Sequence, residues 1–145
     1  ERRYMALISK ERYLLDTNIL VYSVDRNAPQ NSIVREMLEK GIEQEVVFVV
    51  AHQNILEYVA VLTRAYKVSV VQAIRDIEKF SAQFEVVFPR ITTLDIFMKL
   101  MRTAKMAYPF DVYLAATMLD NNVRRIITGN EKDFRNFGLE EVVSI

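Results

Sequence analysis

Short apolar runs and longer helical periods alternate along the chain. Tyr13-Leu14-Leu15 ends abruptly in Asp16-Thr17-Asn18, and a new apolar period starts at once behind them. The pattern predicts a strand over 13–16, a short helix over 17–23, and a loop over 25–30 containing Asn27 and Pro29. Asn31 or Ser32 then caps a helix with Ile33, Val34, Met37 and Leu38 on one face, stopped by Gly41. Residues 46–50 form an uninterrupted β-branched and aromatic run, as expected of a strand covered on both faces. Helical spacing follows over 53–66, and Ser69 caps another helix reaching about residue 84. A strand over 86–88 stops at Pro89. Thr92 or Thr93 starts a helix to about residue 107, with Ile96, Phe97, Leu100, Met101 and Ala104 inside, and Tyr108-Pro109-Phe110 breaks it. Asp111 can cap the next helix, which runs to about residue 122. A strand over 125–128, a loop or single turn over 129–137, and a strand over 141–144 complete the chain. Residues 1–12 show no clear period. Strands alternating with helices predict an α/β protein, a parallel sheet wrapped by helices.

With 145 residues, 51% of them apolar, the chain has enough material for one well-cored domain. Cysteine is absent, which excludes disulfides and thiolate metal sites and fits a reducing cytosol. No apolar run approaches the roughly 20 residues of a membrane span, and no signal-peptide core is visible, so the expected location is cytoplasmic. Nineteen basic residues balance nineteen acidic ones. A protein that held nucleic acid by bulk electrostatics would be more basic. If the substrate is a nucleic acid, a local patch or a metal must attract it.

Four acids stand where strands end or the following helices begin. Asp16 closes the first strand. Glu57 sits in a helix whose neighbours Leu56, Tyr58, Val59, Ala60, Val61 and Leu62 make it apolar nearly all round, so a buried carboxylate there needs a metal or a partner. Asp111 opens an equally apolar helix and is either its cap or a ligand. Asp133 lies in Thr128-Gly129-Asn130-Glu131-Lys132-Asp133-Phe134, either a polar turn or a fourth corner of the same site. Oxygen-only clusters suit Mg²⁺ or Mn²⁺. The single histidine, His52, has no triad partner and reads as structural or exposed.

The order of these motifs resembles the PIN-domain ribonucleases, most closely the VapC-type toxins of toxin–antitoxin pairs. The likeness rests on Leu14-Leu15-Asp16-Thr17-Asn18-Ile19-Leu20, a Glu in the helix after the second strand, Asp111-Val112-Tyr113-Leu114-Ala115-Ala116-Thr117, and Thr128, Asn130, Asp133 and Phe134. It covers residues 13–145, leaving 1–12 as an N-terminal extension. It implies a PIN-like three-layer fold with a central, mainly parallel sheet of four to five strands flanked by helices. It further implies a metal-dependent endoribonuclease with Asp16, Glu57, Asp111 and Asp133 as catalytic and metal-binding acids, supported by Asn18, Thr17, Thr128 and Asn130. Thr17 is either a helix cap or a holder of metal-bound water. Mg²⁺ or Mn²⁺ is the implied cofactor, RNA the substrate, and a homodimer with a small antitoxin the assembly. Two positions depart from the family pattern: Ala51 replaces a frequent Ser or Thr, and Ala115 replaces a further Asp found in some relatives.

RNA needs cations near the acids. Candidates are Arg64, Lys67, Lys99, Arg102, Lys105, Lys132 and Arg135, each otherwise a solvated surface charge. Tyr22 and Tyr108 are placed either to stack on bases or to pack. Two other classes stay open: a phosphoryl-transfer α/β domain of receiver or haloacid-phosphatase type, and a non-catalytic PIN-like binding module. Against the first, Asn18 stands where Asp-x-Asp would need an acid.

Overall fold

The computed structural model describes residues 7–104 and 106–145. Five strands, β1 (Arg12–Leu15), β2 (Val47–Ala51), β3 (Glu85–Val87), β4 (Arg125–Thr128) and β5 (Glu141–Ser144), form one sheet in the order β3-β2-β1-β4-β5. Every pairing is parallel. Six helices connect them: α1 (Thr17–Val24), α2 (Asn31–Glu43), α3 (His52–Arg64), α4 (Val70–Gln83), α5 (Thr93–Thr103) and α6 (Pro109–Asp120). A single 3-10 turn, Glu131–Asp133, lies between β4 and β5. No helix among the described residues is long and apolar enough to cross a membrane.

Helices cover both faces of the sheet, which is why its central strands read as unbroken apolar runs. Tyr13, Leu15, Phe48, Val50 and Ile127 pack under α1 to α4 with Leu20, Met37, Tyr58 and Phe80. Leu14, Val49, Ala51 and Ile126, alternating with them, pack against Leu114, Ala115 and Met118 of α6 and against Phe134 and Phe137. The chain leaves β1 toward β2 and β3, then crosses back to place β4 on the other side of β1. That reversal puts the topological switch point between β1 and β4, where the carboxyl ends of open α/β sheets bind ligands.

Five local expectations need correction. Gly41 does not stop α2, which continues to Glu43; a Cβ on Gly41 would lie 2.4 Å from the Phe48 ring, so this glycine permits close approach of helix and strand. Neither Asn31 nor Ser32 caps α2. Gln30 precedes the helix, and the Asn31 amide donates to the Tyr22 carbonyl at 2.6 Å. The helix α5 ends at Thr103, short of residue 107. Pro109 opens α6 and does not break α5, which has already ended; it fits there because its missing N–H is one that a first-turn residue does not need. Tyr108 is therefore the N-cap and Asp111 lies inside the first turn. Finally, α3 is not buried all round: Leu56 is 61% exposed, and only Asn54, Tyr58 and Leu62 are buried. Ser69 does cap α4, accepting from the Gln72 N–H at 3.1 Å.

Candidate active site

The end of β1 delivers Asp16 to the switch point as the N-cap of α1. One carboxylate oxygen accepts from the Thr17 N–H at 2.8 Å, and the other accepts from the Thr128 hydroxyl, at the end of β4, at 2.7 Å. Thr128 in turn accepts from the Asn130 N–H at 3.0 Å. The Asn18 side chain closes the same corner by accepting from the Gly129 N–H at 3.1 Å. Gly129 sits so close to Asn18 and Tyr22 that a Cβ there would lie 3.3 Å from a polar atom of each. Both neighbouring strand ends are thus tied together by side chains from the first motif.

Thr17 does not cap α1, a place that Asp16 takes. Its hydroxyl donates to Glu57 Oε1 at 2.8 Å and accepts from Asn54 Nδ2 at 3.1 Å. Asn54 is fully buried, and its carbonyl oxygen accepts from the Ala51 N–H at 2.9 Å. That bond supplies half of a capping box from the third helical position, so the start of α3 is fixed although Ala51 carries no hydroxyl. Ala115, one turn beyond Asp111, is fully buried against the sheet.

Asp16, Glu57 and Asp111 line one cleft of about 460 Å³ together with Thr17, Asn18, Gln53 and Asn130. Its remaining wall is apolar and aromatic, including Val21, Tyr22, Val61, Tyr66 and Leu114. Asp111 also lines an adjoining cavity of about 590 Å³ with Asp133, Lys132, Asn136 and Tyr108. Asp111 therefore joins the two spaces, and the four acids lie along one continuous edge.

Their electrostatics show the proximity. Burial raises the Asp16 carboxyl above the ordinary range; the Thr128 and Thr17 hydrogen bonds oppose this, and the charges of Glu57 and Asp133 reinforce it. Asp111 is pushed up to about 6, first by burial and then by the carboxylates of Asp133, Asp16 and Glu57. None of the salt bridges among the described residues involves any of these four acids. As placed, no group of three His, Asp or Glu side chains among the described residues is arranged to hold an ion. The chemistry of the donor set nevertheless fits a hard divalent cation: it is oxygen-only, no salt bridge among the described residues ties up its carboxylates, and Gln53 Oε1 in the same cleft is buried without a hydrogen-bond partner among the described residues.

The proposed cations separate by position. Lys132 lines the cavity beside Asp111 and Asp133. Arg64, Lys67 and Arg102 are exposed and line neither space. Arg135 pairs with Glu131 at 3.4 Å. Lys105 lies outside the described residues. His52 is exposed at the start of α3, its ring 5.1 Å from that of Phe88. Sequence reasoning missed Asn54 and Gln53. An amide three residues after a side chain that cannot cap was the available signal for Asn54; nothing local marked Gln53.

The PIN-domain family model matches residues 13–139. No curated protein matches the chain. Among solved structures, that of VapBC2 from Rickettsia felis, bound to a DNA fragment from their promoter, aligns with a TM-score of 0.66 at 18% identity, covering 90% of this chain and 96% of that one. VapBC-1 from nontypeable Haemophilus influenzae aligns with a TM-score of 0.68 at 20% identity, over 92% and 97% of the two chains. The sarcin-ricin loop cleaving toxin VapC20 of Mycobacterium tuberculosis aligns with a TM-score of 0.62 at 9% identity, over 79% and 86%. At such identities the solved structures attest the shared fold. With the family model spanning both strand-end motifs and the helices between them, the chain belongs to the PIN-domain family.

Proposed function

We propose that this protein is a metal-dependent endoribonuclease that hydrolyses RNA phosphodiester bonds and serves as the toxin of a toxin–antitoxin pair. The observation that carries the reading is the gathering of four carboxylates, none of them in a salt bridge among the described residues, from four separate elements on the switch-point edge of the sheet. Asp16, Glu57, Asp111 and Asp133 would hold Mg²⁺ or Mn²⁺. Bound there, such an ion supplies an acidified water and offsets charge that builds on the phosphate. The chain's own residues set the stage: Thr128 and the Thr17 N–H fix Asp16, the Thr17 hydroxyl fixes Glu57, and Asn18 holds the β4 end against α1. Lys132 supplies positive charge beside Asp111 and Asp133 for the phosphodiester chain.

The structural relatives named for VapBC pairs support a small antitoxin as partner, and the sarcin-ricin loop cleaving relative supports an RNA substrate. A homodimer in the cytoplasm belongs to the same reading. Cleavage of RNA in Mg²⁺ or Mn²⁺ by the parent, Asp16→Asn and Asp111→Asn proteins tests it. Loss of activity in both variants is expected, and parent-level activity in either would overturn the assignment. Titration with Mn²⁺ separates this reading from a binding module: no binding at roughly millimolar ion would favour the latter.

A further inference from the structure

Tyr108 and Phe110 flank the entrance to α6 and do little for the core. They are 61% and 55% exposed, their ring centroids lie 5.3 Å apart at a 41° tilt, and each keeps much of its surface open to solvent. Yet the backbone beneath them is firmly held. Pro109 fixes the first turn, the Tyr108 carbonyl accepts from the N–H groups of Asp111 and Val112 at 3.0 and 3.2 Å, and Gln53 Nε2 donates to the Phe110 carbonyl at 2.9 Å. Two exposed aromatic rings on a pinned backbone are a preorganised stacking surface, since less freedom is lost when a ligand settles on them.

The cavity that Tyr108 lines has a composition to match. Its volume of about 590 Å³ lies in the range of small-molecule sites. Asp111 and Asp133 make it unwelcoming to a phosphate at that wall but not to a neutral base. Lys132 offers a place for the phosphodiester chain, and the Asn136 amide offers both a donor and an acceptor to a base edge.

We propose that this cavity is a subsite for one unpaired nucleotide of single-stranded RNA, its base stacked on Tyr108 and its phosphate beside Lys132. The inference rests on the ribonuclease reading and assigns to Tyr108 the contact that holds a base beside the acids; a duplex, its base faces already stacked and hidden, would not engage it.

The chain contains no tryptophan, so Tyr108→Trp introduces a sole indole reporter at the subsite. In EDTA at low salt, a single-stranded RNA hexamer should quench it saturably, and a hairpin of the same composition should quench it far less. By fluorescence anisotropy of a labelled hexamer, Tyr108→Leu should weaken binding roughly tenfold while Tyr108→Phe stays near the parent, with thermal midpoints unchanged. Absence of quenching, equal quenching by hairpin and hexamer, or parent affinity in Tyr108→Leu would overturn the subsite. Quenching by arginine amide but not by the hexamer would overturn it in favour of a protein partner. The two readings fail separately: cleavage lost in Asp16→Asn without hexamer quenching sinks only the subsite, whereas quenching without metal-dependent cleavage sinks only the nuclease.

Discussion

The Thr17 hydroxyl donates to Glu57 Oε1 at 2.8 Å across 40 residues of sequence and accepts from the buried Asn54 amide at 3.1 Å. One hydroxyl thus couples the β1 end to α3 and aims the Glu57 carboxylate. Thr17→Val keeps the shape but removes both bonds, leaving a donor of Asn54 buried without a partner. A cost of about 1–3 kcal/mol in urea unfolding is expected. RNA cleavage should fall by more than the folded fraction explains, because Glu57 loses its orientation. Unchanged kcat/KM in a well-folded Thr17→Val protein would show that this bond does not serve the reaction.

Asp111 makes the metal-free protein sensitive to pH in a direction opposite to most paired carboxylates. Its folded pKa of about 6 lies above the unfolded value near 4, so between those values the native state binds more protons than the unfolded state. In EDTA, this group's contribution to stability is fully present below about pH 4, declines as the pH rises through about 6, and is level above that. Asp111→Asn should therefore be more stable than the parent near neutral pH, by about 1 kcal/mol after allowing for solvent on the open side of the cleft. The advantage should vanish toward pH 4. Thermal melts across that range check it, and an offset that stays constant at all pH values would rule out titration of Asp111 as its cause.

Gly41→Ala tests the contact that sequence periodicity missed. The added methyl would meet the Phe48 ring at 2.4 Å in a fully packed layer, so the ring or the helix must shift. A loss of about 1–3 kcal/mol is expected, with RNA cleavage per folded molecule unaltered. A thermal midpoint at or above the parent value would mean that α2 can move outward freely.

What could be read from the residues follows from how local each cause is. The run at 46–50 announced β2 because a strand covered on both faces has no polar side to show. Asp16 was legible because a carboxylate ends an apolar strand at the start of a helix. Gly41 was misread because a glycine that stops a helix and one that admits a ring look alike until Phe48 is placed. The cap alternative for Asp111 stayed open because Pro109 can close one element or open the next, and it fails because Tyr108 is the N-cap. The exposure of Leu56 was hidden because an all-apolar period does not say whether a neighbouring layer covers it. Asn54 escaped notice because its two bonds reach Ala51, three residues back, and Thr17, which is 37 residues away.

Tyr58 and Asp76 hold α3 against α4 through a buried hydrogen bond of 2.7 Å, and Gln72 donates to the other carboxylate oxygen at 3.0 Å. Burial first, then this bond to Asp76, raises the Tyr58 phenol well above its ordinary value, so Tyr58 remains the donor throughout the usable pH range. Tyr58→Phe leaves one Asp76 oxygen without a partner while keeping the ring packed on Phe80. Destabilisation of about 1–2 kcal/mol is expected, and it should shrink in a Tyr58→Phe/Asp76→Ala double variant. Additive losses in the double variant would show that the two side chains act independently.

The basic residues provide a test of whether position or mere number attracts RNA. With nineteen acids against nineteen bases, the chain offers no general positive field. If the cleft edge is where RNA lies, Lys132→Ala should raise KM for RNA and reduce the salt dependence of binding by about one counterion. Arg64→Ala and Arg102→Ala, removing charges that line neither cavity, should change both quantities little. Arg135→Ala should also have a small effect, because its charge is partly answered by Glu131. Binding isotherms for the four variants at several ionic strengths distinguish the cases. Equal losses for all four would mean that RNA is gathered by diffuse charge and that Lys132 has no special place beside Asp111 and Asp133.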